Sequence, residues 1–556
     1  MGETRAKPVL SERRMEEPVT WQGDAGSNAR WLHGLLAITV LVLSGCEVNR
    51  PEGPGERGED SEPVPMVNRC TDLSDDHRFV ERSHEVSGRD GPVPYTVYTG
   101  LMPLREHDTG ETLAHMGYVA YTREGDFEDP RPLTFVWNGG PGAASSILHL
   151  TGVGPKIVEM SDRPDGSRPR DPELTANEET WLEFTDLVFV DPVGTGYSRA
   201  ARPDHLEIFW SDQGDADSVA EFIRLYLVHY DAWDAPVFVA GQSFGAQRAA
   251  RLTDVLPERG LPLAGTILIS SPFRSSDSEL RGAATLPSYA ATAFAHGRLP
   301  ADLQRDLESA VREAERFALG TYQPALTRLD ELSKEERREV ARGLARLTGV
   351  EPSTLEENDL LVDTPFYVEQ LLADEGRVVG RYDGRLSGPM PPDDGPYDPR
   401  ADPSLQSHFS PGLVSRYFRD ELGFGCDLVY AGPFGGFWPR VPEFRGDWMT
   451  LRWTRTAETA TESTDTLIGR ALDREPSLRI LVVMGIHDLV TPYFVAETAI
   501  RALELEPEQE ARIDVRSYSG GHSPYHDRPT RMQLRDDVAA FVAATLGGGL
   551  HGPEEP

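Results

Sequence analysis

Three residues of this chain have the types needed for covalent acyl transfer, and they follow one another in a chemically meaningful order. Ser243 lies in Gly241-Gln242-Ser243-Phe244-Gly245, Asp488 in Gly485-Ile486-His487-Asp488-Leu489, and His522 in Gly520-Gly521-His522-Ser523. A serine hydroxyl is a weak nucleophile until a base within hydrogen-bond reach takes its proton, and that base needs an acid to orient it. The G-x-S-x-G pentapeptide supplies a turn so tight that its neighbours must be glycine, and a helix behind it favours negative charge developing beside the serine. Gly520 and Gly521 let the backbone turn just before His522, which favours it over the nearby His487 and His526. Asp191, at another strand end, competes with Asp488 as the acid.

These side chains converge only if strand ends carry them. Short apolar runs at 133–137, 187–190, 237–240, 266–269 and 478–484 predict buried strands, the pattern resumes in a further strand at 513–518, and the elbow sits at the carboxyl end of one of them. Between 212 and 230, Val219, Phe222, Ile223, Tyr226 and Leu227 fall on one helix face, and 530–546 predicts a closing helix. Strand alternating with helix means an α/β fold, with a mostly parallel sheet flanked by helices. Residues 95–121 alternate aromatic and β-branched types around a turn at 108–110, so antiparallel strands lead into the fold.

The regularity breaks after Ser271. Leu303, Leu307, Val311, Ala314 and Ala318 make one helix face ending near Gly320, 333–347 predicts a second helix, and 389–403 is a loop rich in Pro and Asp. This predicts a large, mainly helical cap inserted over the active-site face. The expected division is an N-terminal extension and signal peptide at 1–45, a disordered tether at 46–72, core at 73–270, cap at 271–470, core again at 471–548 and a tail at 549–556.

The net charge of −36 excludes nucleic acid as a partner, because phosphates call for Lys and Arg, and only Lys7, Lys156 and Lys334 are lysines. No Cys/His cluster has metal-ligand spacing, so neither metal nor cofactor is expected. Arg30 precedes an apolar run at 35–43 that ends in Leu43-Ser44-Gly45-Cys46. Such a run is too short for a hydrocarbon layer of about 30 Å but suits a signal-peptide core. Its end resembles a bacterial lipobox, which implies cleavage before Cys46 and a lipid anchor on the Cys46 sulfur. An ordinary signal peptide or a buried apolar helix is the alternative. The polar residues before it are unlike a signal peptide's short start, so translation beginning at Met15 or beyond is an open reading. Residues 49–65, rich in Pro, Gly and Glu, have almost nothing to bury. An exported chain permits a disulfide between Cys70 and Cys426, though spacing does not show that they meet.

Asn138-Gly-Gly-Pro-Gly142, Asp191-Pro-Val-Gly-Thr-Gly-Tyr-Ser198, Gly241-Gln-Ser-Phe-Gly245, Asp488-Leu-Val-Thr-Pro492 and Gly521-His522 together resemble the serine carboxypeptidase family, over about 95–546. Leu286-Pro-Ser-Tyr-Ala-Ala-Thr-Ala-Phe294 is similar to its bacterial branch. The resemblance implies an α/β-hydrolase fold and release of C-terminal residues from peptides. It implies Ser243 as nucleophile, His522 as base and Asp488 as acid, with Gly140 and Phe244 giving the oxyanion-hole N–H groups. Asn138 and Gln242 are implied to bind substrate, the neutral Gln242 amide donating to a carboxylate without taking a proton. Three positions depart from the pattern: Gln242 replaces a Glu before the serine, Gly152 a second carboxylate-binding Glu, and Ala143 a Cys.

The expected activity is that of a membrane-anchored, cell-envelope serine carboxypeptidase. An ester hydrolase or acyltransferase with the same triad, and a catalytically silent binding lipoprotein, are the alternatives.

Overall fold

The computed structural model describes residues 77–158, 173–274, 278–391, 402–405, 411–432 and 462–547. The signal-peptide region, Cys46, the tether, Cys70, the tail at 549–556 and most of the loop at 389–403 lie outside them. All described residues belong to one unit, Pro63–Pro556.

Among the described residues the main sheet has ten strands, nine of them in one continuous path: β1 (Arg78–Gly88), β2 (Gly91–Arg105), β3 (Thr112–Arg123), β4 (Leu133–Trp137), β5 (Asp186–Val190), β6 (Val237–Gln242), β7 (Gly265–Ile269), β8 (Arg479–Gly485) and β9 (Ile513–Tyr518). Their order is β1-β2-β3-β5-β4-β6-β7-β8-β9, with Arg199–Ala200 pairing to β3. The first three strands are antiparallel, β3 meets β5 antiparallel, and every pair from β5 to β9 is parallel. The predicted α/β architecture is therefore present, and β1 is an addition that the sequence did not announce.

Successive residues of the central strands face opposite cores. Phe135, Trp137, Val239, Leu268, Ile480 and Val482 enter one apolar cluster, and Val136, Phe238, Ala240, Ile267, Leu481 and Val483 the other. Burial on both faces is why these segments read as unbroken apolar runs rather than alternating ones. Helix α1 (Asp212–His229) is capped by Ser211, whose hydroxyl accepts from the Gly214 N–H at 3.0 Å, and buries the five residues predicted for its face. Helix α2 (Phe244–Glu258) lies on the same side of the sheet. Helix α3 (Arg528–Thr545) covers the opposite side with Leu534, Val538, Phe541 and Val542.

The insertion serves both faces. Its helices Leu286–Ala295, Leu307–Phe317, Lys334–Thr348 and Thr364–Gln370 share the core of α1 and α2. Lys334–Thr348 opens with a Ser333–Glu336 capping box and ends at Gly349, whose φ of 72° a side chain would resist. Leu413, Val414, Tyr417 and Phe418 instead pack into the opposite core, where the Tyr417 and Tyr121 hydroxyls lie 2.8 Å apart. Arg377–Val379 and Ser387–Pro389 pair as a short hairpin within the insertion. Cys426 is disulfide-bonded.

Candidate active site

Between the last residue of β6, Gln242, and the first of α2, Phe244, Ser243 makes the whole turn, with φ 59° and ψ −129°. A non-glycine residue held there costs on the order of 1–3 kcal/mol and persists only where its surroundings impose it. The Ser243 N–H donates to the Ile269 carbonyl at 2.9 Å, and its own carbonyl accepts from the Ala246 N–H at 2.9 Å. Neither Gly241 nor Gly245 has positive φ. They are required by crowding: a Cβ on Gly241 would overlap the Gly245 carbonyl, and one on Gly245 would lie 2.7 Å from the Asn138 carbonyl oxygen.

The loops after β8 and β9 bring acid and base together. The His522 Nδ1–H donates to Asp488 Oδ2 at 2.7 Å, and both residues are buried. Asp488 also accepts from the Val490 N–H at 2.8 Å, the Thr491 N–H at 3.0 Å and the Thr491 hydroxyl at 2.5 Å, so the carboxylate has one orientation. With Nδ1–H committed, Nε2 is the acceptor of the neutral ring.

Gln242 ties the elbow to the His522 loop. Its Nε2 donates to the His522 carbonyl at 2.6 Å and the Ser523 hydroxyl at 2.8 Å. Its Oε1 accepts from Asn138 Nδ2 at 2.6 Å and from the Tyr525 hydroxyl at 2.6 Å. Both amide protons and both oxygen lone pairs are thereby used inside the protein. The donor expected for a substrate carboxylate is thus bonded within the protein. Asn138 is equally enclosed: its Oδ1 accepts from the Leu148 N–H at 2.9 Å. Burial raises the pKa of Tyr525, against its hydrogen bonds with Ser523, Asn138 and Gln242.

The Asn138-Gly139-Gly140 loop passes directly over the elbow. A Cβ on Gly139 would lie 2.5 Å from the Phe244 backbone nitrogen, so no side chain fits between the loop and the start of α2. Gly140 has φ 106°. Its N–H has no hydrogen-bond partner among the described residues. Arg248, paired with Asp215 at 2.5 and 3.1 Å in a buried contact, donates to the Asn138 carbonyl at 3.0 Å and holds the loop from behind.

The competing candidates lie elsewhere. Asp191 accepts from the Ser145 N–H at 2.8 Å and the Tyr430 hydroxyl at 3.3 Å, and burial raises its pKa to about 6. His487 is buried with its pKa lowered to about 3 by desolvation, then by Arg385. His526 Nε2 lies 3.2 Å from the Thr151 hydroxyl. Thr491, Tyr525 and Arg248 were not singled out by sequence reasoning. Only the missing side chain at Gly152 hinted at Tyr525: a Cβ there would lie 3.0 Å from that ring. Among the described residues, no group of His, Cys, Asp or Glu could hold a metal ion.

Comparison with known proteins bears on the first half of this site. Residues 88–259 match the family described as serine carboxypeptidase. On that stretch the chain is similar to serine carboxypeptidases. The match takes in the Asn138 loop and the Ser243 elbow, and it ends before Asp488 and His522. "Serine carboxypeptidase-like 13" of Arabidopsis thaliana is 27% identical over 197 residues, 34% of this chain and 43% of that protein. "Pheromone-processing carboxypeptidase kex1" of Aspergillus niger is 34% identical over 145 residues, 25% of this chain and 21% of that protein. The chain thus spans less than half the length of these curated relatives. A crystal structure of a prohormone-processing carboxypeptidase from Saccharomyces cerevisiae is 14% identical with a TM-score of 0.50, covering 81% of this chain and 92% of that one. That likeness extends the α/β-hydrolase fold across the later strands, where the family match does not reach.

Proposed function

We propose that this chain is a serine-type carboxypeptidase that releases C-terminal residues from peptides through an acyl-enzyme on Ser243. The observation that carries the reading is the 2.7 Å His522–Asp488 bond, in a loop held by Gln242, the residue next to Ser243. In this reading His522 Nε2 takes the Ser243 proton as the hydroxyl oxygen attacks the scissile carbonyl, and Asp488 stabilises the imidazolium. The backbone N–H groups of Gly140 and Phe244 receive the oxyanion, His522 returns the proton to the leaving amine, and water then hydrolyses the ester. The unpartnered Gly140 N–H and its loop lying over Phe244 support that role.

The substrate's terminal carboxylate would meet Asn138, whose amide is already bonded to Gln242. This favours a second reading, an ester hydrolase or acyltransferase using the same three residues. A fluorophosphonate probe and a panel of N-blocked peptides and matching esters separate the readings. Labelling with peptide turnover supports the first, labelling with ester turnover alone supports the second, and absence of labelling removes both in favour of a silent binding protein.

The chain's place is read as the cell envelope of a bacterium: exported, anchored by lipid on Cys46, its catalytic unit held off the membrane by the tether at 46–72. Support comes from the sequence of that region. Among the described residues no helix is long and apolar enough to cross a membrane.

A further inference from the structure

The turn of the cap hairpin enters the active site as backbone. Between Arg377–Val379 and Ser387–Pro389 the chain runs through Arg381-Tyr382-Asp383-Gly384-Arg385, and this turn is bonded to both catalytic loops at once. The Leu489 N–H, next to Asp488, donates to the Arg381 carbonyl at 3.0 Å. The His522 N–H donates to the Tyr382 carbonyl at 2.6 Å, and the Gly384 N–H donates to the His487 carbonyl at 2.9 Å. The Tyr382 ring stands edge-on to the His522 imidazole, with centroids 5.3 Å apart. Gly521 is required by this approach, because a Cβ there would overlap the Tyr382 carbonyl and lie 2.6 Å from the Asp383 Cβ.

Arg385 fastens the turn. Its Nε and Nη2 donate to the two Asp383 carboxylate oxygens at 2.9 and 2.7 Å, while Nη1 donates to the Ser519 carbonyl at 3.0 Å, three residues before His522. Nη1 also lies 3.6 Å from Asp527 at the start of α3. One guanidinium therefore joins the cap turn to the segment that carries the base. A fork of fixed donors suits such a joint because each N–H has a set direction. From the other side the Arg381 N–H donates to Asp402 at 3.0 Å and the Tyr382 N–H to the Ser404 hydroxyl at 3.1 Å, so the turn is gripped within the cap as well.

We propose that Arg385 is a positioning residue for the reaction: through the Arg381–Arg385 turn it makes the cap a structural part of the Asp488–His522 pair. A cap that only shaped a substrate pocket would need no backbone bonds to both loops. The inference deepens the proposed hydrolase reading and rests on it. A misplacement of about 1 Å at a catalytic group can cost about 10²-fold in rate, so a loosened turn has a measurable effect on chemistry.

The test uses the whole chain and a small fluorophosphonate, which reacts at Ser243 without needing a peptide pocket. The labelling rate at saturating probe and the half-saturating concentration are measured for wild type, Arg385→Met and Arg385→Lys. The expected result is a saturated rate reduced about 10-fold or more in Arg385→Met, an unchanged half-saturating concentration, and partial recovery in Arg385→Lys. Tyr382→Ala, which leaves the backbone bond but removes the ring beside His522, should also slow labelling. The proposal is overturned if Arg385→Met labels at the wild-type rate. It is equally overturned if fewer molecules label while those that do react at the wild-type rate, which would mean a folding defect alone. Failure of wild type itself to label would instead sink the hydrolase reading.

Discussion

Replacing Gln242 by Glu tests the link between elbow and base loop with a change of one atom type. The Gln242 amide nitrogen donates to the His522 carbonyl at 2.6 Å and the Ser523 hydroxyl at 2.8 Å. A protonated Glu keeps the donor toward His522. An ionised Glu has none, and it faces a carbonyl oxygen with a carboxylate oxygen, although the Ser523 hydroxyl can rotate to donate to it. A buried acceptor left without its donor costs about 1–3 kcal/mol. The Asn138 and Tyr525 donors on the other oxygen favour the charged form and offset part of this, whereas the Asp488 carboxylate, reached through His522, opposes it. At about 1.36 kcal/mol per pKa unit, the new carboxyl should rise roughly 1–2 units above its ordinary value of about 4.3.

A folded-state pKa raised in this way leaves stability untouched at low pH and removes it as pH rises. The variant should match wild type near pH 4, lose stability between about pH 4.3 and 6.3, and then run parallel to it. Fluorophosphonate labelling should fall over the same window by about 10-fold as the His522 loop loosens, with no such limb in wild type. Thermal midpoint and labelling rate, each followed from pH 4 to 8 for both proteins, make the comparison. Identical pH profiles would refute the argument that Gln242 holds the two catalytic segments together.

Ser243→Ala should abolish labelling and lower turnover by about 10⁴-fold or more with the thermal midpoint retained, and Asp488→Asn should be nearly as damaging because the imidazole loses its tautomer. Cell fractionation of Cys46→Ser should move the protein from the membrane fraction to the soluble one, and a mature N-terminus mapped well away from residue 46 would contradict the lipid anchor. His149 is fully buried against Phe189 and Tyr121, with its pKa lowered to about 3 by desolvation. Below about pH 6.5 the unfolded chain takes up a proton there that the folded one refuses, so stability should fall with pH by at most about 1.4 kcal/mol per unit from this group. His149→Leu should flatten that slope in denaturant titrations between pH 7 and 4.5; an unchanged slope would show that His149 does not contribute to it.

What could be read from sequence was whatever local pattern dictates. The strand at 133–137 has the observed bounds because a continuous apolar run follows from burial on both sheet faces, and the one at 513–518 matches too, although it is an edge strand that buries only Tyr518. Ser243 was legible because an elbow demands glycines, and the α1 face because five apolar residues recur at helical spacing. β1 was not, since it is an edge strand burying only Val80 and Val86 among charged neighbours. The pair at Gly520 and Gly521 was read as a device for a tight turn. Neither has positive φ, and what they permit is the passage of other backbones: a Cβ on Gly520 would lie 2.7 Å from the Pro524 Cα, and one on Gly521 would run into the cap turn. The partners of Gln242 and Arg385 were out of reach because hydrogen bonds across 280 and 134 residues leave no periodic trace.

Gln242 and Gly152 meet at the same side chain, Tyr525. Gln242 Oε1 needs donors in a buried site, and Asn138 provides one. The other is the Tyr525 hydroxyl, whose ring lies where a side chain at 152 would stand, 3.0 Å from a Cβ placed there. A carboxylate at 152 would displace that ring, and a carboxylate at 242 would lose its bond to His522 unless it held a proton. With glycine and glutamine at these positions, the space beside the nucleophile is filled by a tyrosine and an amide that carry no charge at neutral pH. Placing a carboxylate at either position alone should therefore harm the site, because each side chain is compatible only with the partner it now has.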